Sequence, residues 1–176
     1  SLINFSGSVQ SSHCDSVTIV QKELIMIKKA TIKTIIAAFV FAALPTWAAD
    51  VTLSKAVTKA SDGSDVPLEI ATPVGKGPFP PVLYIHAKRG FEAEDRTHMR
   101  ELATQGFLVL APDWQSGRFI ERWPSEHNPD SERDVEAGLD YLKTLPNVCK
   151  QPTGVIGLSR GPYYAIRLAA KRGPDI

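Results

Sequence analysis

Three short apolar runs recur along this chain: residues 82–86 (VLYIH), 107–111 (FLVLA) and 155–158 (VIGL). Each is too short for a membrane helix, and none shows the apolar-polar alternation of a strand with one wet face. Runs of this kind fit strands buried on both faces. Between them lie stretches with helical spacing. Met99, Leu102 and Ala103 form one stripe, with Asp95 as a candidate cap and Gly106 as a stop. Val135, Leu139 and Leu142 form another, opened by Asp130 or Ser131 and closed by Pro146. A third helix is expected over residues 162–172. Alternating strands and helices predict an α/β fold: a mostly parallel sheet with right-handed crossovers and helices on both faces. Upstream, residues 51–60 and 66–72 read as two strands joined through Asp62-Gly63, a hairpin signal at one edge of that sheet.

The first part of the chain has a different character. Lys28, Lys29 and Lys33 precede an uncharged apolar run over residues 35–44, then Pro45 and small residues. This is the pattern of a secretory signal with cleavage after Ala48. The run falls short of the roughly 20 residues needed to cross a bilayer, so no stable membrane anchor is expected. The expected organisation is an upstream extension without a regular fold (1–25), a signal peptide (26–48) and the N-terminal part of the α/β domain (49–176), exported to the periplasm or outside the cell. Cys14 and Cys149 do not form a CxxC or a zinc-site pattern, so neither a disulfide framework nor a metal site is expected, and Cys149 is expected to stay unpaired. The formal net charge of +1 argues against a nucleic-acid partner.

The run at 155–158 leads into Gly157-Leu158-Ser159-Arg160-Gly161 and then a helix. G-x-S-x-G is weak as a pattern and becomes specific in this strand-turn-helix setting. A sharp turn lifts the serine hydroxyl above the sheet. It brings strand and helix so close that side chains at Gly157 and Gly161 would clash. The helix N-terminus then sets the Arg160 N–H beside developing negative charge. Pro162 is tolerated, because a first-turn residue needs no N–H.

Four segments, "PPVLYIHAKRG", "LATQGFLVLAPDW", "SERDVEAGLDYLKTLP" and "GVIGLSRG", occur in this order. Together they resemble the α/β-hydrolase superfamily, most closely the dienelactone-hydrolase-like group, over roughly residues 65–176. The resemblance implies hydrolysis of a small-molecule ester or lactone through an acyl-enzyme, without a cofactor. It implies Ser159 as nucleophile and an oxyanion hole from the N–H of Arg160 and of Lys88, with Ala87 the next choice. Dienelactone hydrolases proper carry Cys where this chain has Ser159, which points to an esterase-like relative. Relatives usually have His-Gly where this chain has His86-Ala87. The family order also places an acid and a histidine after the nucleophile. Here only Asp175 follows, and no histidine. The expectation is therefore an incomplete hydrolase, cut after the elbow helix and inactive as it stands. The alternative is a non-catalytic binding protein or fragment on the same fold. A dinucleotide-binding protein is disfavoured, because no G-x-G-x-x-G follows an early strand.

Other polar residues have plainer readings. His86 is expected to be structural and His98 to sit on a partly exposed helix face. His127 is a minor candidate for a substrate contact. Trp114 and Trp123 either pack the 113–130 loop or line a pocket. Asp113 ends a strand on the active-site edge. Asp130, Glu132, Asp134 and Glu136 read as a solvated first helical turn, and Arg160 as a cover for the elbow.

Overall fold

The computed structural model describes residues 51–176. The expected extension (1–25) and export signal (26–48) lie outside the described residues. β1 (Thr52–Lys59) and β2 (Asp65–Thr72) form an antiparallel hairpin, with Thr52 opposite Thr72 and Lys59 opposite Asp65. Its turn uses Gly63 at φ 85°, with the Ser64 N–H donating to Asp62 Oδ1 at 3.0 Å. Then follow β3 (Pro81–Ile85), α1 (Ala93–Thr104), β4 (Leu108–Pro112), α2 (Asp130–Thr144), β5 (Gly154–Gly157) and α3 (Gly161–Arg172).

The strand order is β1-β2-β4-β3-β5. β3 runs parallel to both β4 and β5, while β2 meets β4 antiparallel. The sheet is thus parallel where the crossover helices serve it and antiparallel only at the hairpin, as the sequence pattern predicts.

Alternation along β3 and β4 sorts the core into two layers. Leu83, Ile85, Leu108 and Leu110 point to the face covered by α2 and α3, where they meet Val135, Leu139, Leu142, Tyr164 and Leu168. Val82, Tyr84, Val109 and Ala111 point to the other face, against Met99 and Ala103 of α1. Both faces of the central strands are therefore dry, which is why their sequences show no alternation.

Details at the helix ends differ from the sequence reading. Glu92, not Asp95, caps α1. Asp95 is the third helical residue and closes a capping box by accepting the Glu92 N–H at 2.8 Å. The acids of α2 are not a solvated face. α3 lies alongside and supplies partners: Arg167 to Glu132, and Lys171 and Arg172 to Glu136. Asp134 is buried and receives two 2.7 Å bonds from Arg118, which also reaches Asp62 at 3.0 Å. This fork ties the hairpin turn and the loop after β4 to α2. Cys149, expected to be unpaired, is buried and disulfide-bonded. Among the described residues no helix is long and apolar enough to cross a membrane.

α3 reaches the sheet unusually closely at its first residue. A Cβ on Gly161 would lie 2.3 Å from the Ile85 carbonyl oxygen, and one on Gly157 would lie 2.5 Å from the Gly161 carbonyl carbon. Neither obstacle is a flexible side chain, so no rotamer change relieves the clash. The intervening Ser159 is held at φ 53°, a left-handed conformation that disfavours side chains. Gly161→Val should therefore destabilise the fold by at least about 1–3 kcal/mol, while Ser159→Gly should stabilise it by about 1 kcal/mol. Urea unfolding midpoints of the two variants report both effects. A Gly161→Val midpoint equal to wild type would disprove the close approach.

Candidate active site

The site is built from the carboxyl ends of three adjacent strands. The chain leaves β5 at Gly157, and the Leu158 N–H is fixed to the Ile85 carbonyl of β3 at 3.0 Å. The Gly161 N–H returns to the Leu158 carbonyl at 2.7 Å. Between these two bonds Ser159 is pushed outward and left exposed. Its left-handed backbone is the local cost of that position. Arg160 precedes the first turn of α3, and its N–H meets no acceptor among the described residues.

The neighbouring strand end supplies a second free donor. After β3, the Ala87 carbonyl accepts from the Gly90 N–H at 3.2 Å and bonds the His86 ring at Nδ1 at 2.8 Å. A carbonyl only accepts, so Nδ1 carries the proton. With its oxygen held from two sides, the Ala87-Lys88 peptide aims the Lys88 N–H the opposite way. No described residue accepts it. The Lys88 carbonyl is fixed in turn by the Gln115 side-chain amide at 3.0 Å and by the Trp123 N–H at 2.9 Å.

His86 is fully buried and stacked on Trp114, with centroids 4.9 Å apart and planes 11° from parallel. The Trp114 indole N–H donates to the His86 carbonyl at 3.2 Å. The second ring nitrogen of His86, Nε2, lies 3.6 Å from Asp113 Oδ1, beyond hydrogen-bond length. Asp113 itself organises the turn after β4: Oδ1 accepts the N–H of Gln115 at 3.1 Å and of Ser116 at 3.0 Å, and Oδ2 accepts the Ser116 hydroxyl at 2.5 Å. Burial raises the Asp113 pKa, but the adjacent His86 ring and the two Ser116 donors outweigh it and hold the carboxyl well below the usual carboxylate range.

The other candidates separate clearly. His98 lies on α1 and bonds the Tyr84 hydroxyl, which also donates to Asp95. Trp114 is core, at 1% exposure, whereas Trp123 is 60% exposed. His127 packs against Tyr163 and Tyr164 of α3, with Nε2 at 2.9 Å from Glu132. None of the three described histidines hydrogen-bonds Ser159. The Arg160 guanidinium reaches across to the carbonyls of Glu126 and Pro124, at 3.3 and 3.5 Å. It is spent on the 113–130 loop, a role with no local sequence signal. Among the described residues no group of three His, Cys, Asp or Glu converges to hold a metal ion.

Because the folded Asp113 pKa is depressed, its contribution to stability is complete above the unfolded value of about 3.9 and is lost as pH falls below it. Asp113→Asn should therefore lose less stability than wild type between roughly pH 5 and pH 3. Denaturant unfolding across that range measures it, and identical slopes for the two proteins would show that Asp113 contributes nothing.

This strand-turn-helix geometry has many relatives. The family pattern described as the dienelactone hydrolase family matches residues 67–176. A Synechocystis sp. protein provisionally named carboxymethylenebutenolidase is 28% identical over 109 residues, which cover 53% of this chain and 44% of that protein. The chain thus spans less than half the length of this curated relative. Among solved structures, the esterase Est22 superposes with a TM-score of 0.59 at 16% identity, over 71% of this chain and 41% of that one. A dienelactone hydrolase-like promiscuous phosphotriesterase from metagenomic libraries gives 0.56 at 24%, over 70% and 56%. Brefeldin A esterase, a bacterial homologue of human hormone-sensitive lipase, gives 0.58 at 21%, over 91% and 44%. Their low identities speak for the α/β-hydrolase fold alone, and the match over residues 67–176 makes this chain a member of the dienelactone hydrolase family.

Proposed function

We propose that this chain carries the nucleophile and oxyanion hole of an exported serine hydrolase acting on small carboxylic esters or lactones. The observation that carries the reading is the outward, left-handed Ser159 at a helix N-terminus, next to Arg160, whose N–H, like that of Lys88 after the neighbouring strand, meets no acceptor among the described residues. In this reading the Ser159 hydroxyl attacks the substrate carbonyl carbon. The carbonyl oxygen gains negative charge and is met by the two N–H groups. The tetrahedral intermediate expels the alcohol, leaving an acyl-serine that water then hydrolyses. The family membership and the esterases that share the fold support it. A serine hydroxyl needs a base to take its proton. The described histidines are held by other partners, so the base is assigned to sequence other than residues 51–176.

For the whole gene product, we expect p-nitrophenyl acetate turnover and fluorophosphonate labelling, both abolished by Ser159→Ala. Residues 1–176 alone should turn over on the order of 10⁴-fold more slowly, or less. Equal Ser159-dependent rates would make His86, His98 or His127 the base and overturn the assignment. Binding without turnover by the whole product would favour the non-catalytic alternative. Export rests on the basic, apolar and small-residue pattern of 26–48. Mass spectrometry of the secreted fraction should find Ala49 at the N-terminus, and a retained apolar run would overturn that part.

A further inference from the structure

The segment around Trp123 is tied to both residues of the proposed oxyanion hole. On one side the Trp123 N–H donates to the Lys88 carbonyl at 2.9 Å, and the Lys88 ammonium lies 5.7 Å from the centre of the Trp123 ring. On the other side Arg160 holds the carbonyls of Pro124 and Glu126. Residues 88 and 160 are the two whose N–H groups face the proposed oxyanion. A segment gripped by both lies within a few side-chain lengths of Ser159.

Two aromatic residues of this loop project into water. Phe119 is 96% exposed and Trp123 60% exposed, and both have left-handed backbones, at φ 55° and 60°. A non-glycine residue in that region is held there by its surroundings, and such residues concentrate at binding sites. At Trp123 the holding contacts are the ones just named. The strained backbone therefore fixes a large exposed indole beside Lys88, where burying it in the core would have been the cheaper use of its surface. Among the described residues no carboxylate pairs with Lys88 Nζ, so its ammonium is left to steady one side of the ring.

We infer that Trp123 is the specificity platform of the site, stacking a planar aromatic group on either side of the scissile carbonyl of its substrate. The substrates would then be aryl or aroyl esters rather than short alkyl esters. The inference rests on the hydrolase reading for the position of the carbonyl, but the ring platform itself can be measured without turnover.

The test uses the whole gene product with Ser159→Ala, so that no acyl-enzyme forms, and two amide probes, acetanilide and N-methylbenzamide. They carry the ring on opposite sides of the carbonyl. Dissociation constants from NMR titration should weaken about three- to tenfold in Trp123→Ala for at least one probe. Trp123→Phe should recover most of the loss. With Ser159 intact, Trp123→Ala should lower kcat/KM for phenyl acetate or methyl benzoate through KM, by a larger factor than for ethyl acetate. Thermal melting checks that the variants fold, and Trp123→Phe keeps the test informative if Trp123→Ala does not. Unchanged binding of both probes, or an equal loss for alkyl and aryl esters, overturns the inference. Trp123-dependent binding with no Ser159-dependent hydrolysis would instead sink the hydrolase reading and leave the platform standing.

Discussion

The contact between the first residue of α3 and the backbone of β3 sets the rest of the site. With hydrogen alone at the Gly161 Cα, the helix can approach until an added Cβ would be 2.3 Å from the Ile85 carbonyl oxygen. That carbonyl also accepts the Leu158 N–H. The exit of β5, the end of β3 and the start of α3 therefore meet within one peptide's width. The chain between them has only two residues to reverse direction, and the left-handed Ser159 follows from that short path. The aligned peptides of α3 end at the same point, so the strained residue faces the positive end of the helix. Strain, exposure and field at Ser159 have one common origin in packing.

A second layer of order comes from carbonyls that are over-satisfied. The Ala87 and Lys88 oxygens each have two donors directed at them, from His86, Gly90, Gln115 and Trp123. The effect is indirect. A peptide pinned by its oxygen has its N–H direction fixed as well, and the Lys88 N–H is thereby held in one direction, as the proposed oxyanion hole requires. Gln115 is placed for this by Asp113, which holds its backbone N–H. The Arg118 fork then fastens the same loop to α2 and to the hairpin turn. Residues scattered from 62 to 160 act on one loop.

What the sequence revealed and what it hid divide along the range of the interactions. The dry strands β3 and β4 could be read because burial on both faces leaves a contiguous apolar run; β5, expected to be buried like them, is exposed at Gly154 and only half-buried over 155–157, because it stands last in the strand order beside β3. The elbow could be read because its glycines and serine are neighbours in the chain. The α1 cap was misread by three residues because either acid at 92 or 95 can occupy the cap, and the capping box uses both. The α2 acids were misread because their partners, Arg167, Lys171 and Arg172, come more than thirty residues later. The Arg160 strap and the His86–Trp114 stack join elements nearly as far apart. No local pattern announces them. The Trp114 and Trp123 alternatives were open for the same reason: both lie in one polar loop, and only the three-dimensional path buries the first and exposes the second.

The histidine nearest the site in the chain's topology is the least suited to be its base. His86 stands at the end of β3, beside the strand that leads to Ser159. Its Nδ1 proton is committed to the Ala87 carbonyl. Turning the ring to free that nitrogen would break the stack on Trp114 and release the Ala87 carbonyl that it holds. Nε2 faces the Asp113 carboxylate rather than the serine. In the proposed reaction a base must take a proton from Ser159 while the Lys88 N–H still faces the carbonyl oxygen. His86 cannot do the first without undoing the second. Its chemistry in this site is that of a strut, and its burial between Trp114 and Phe91 is what makes the strut rigid.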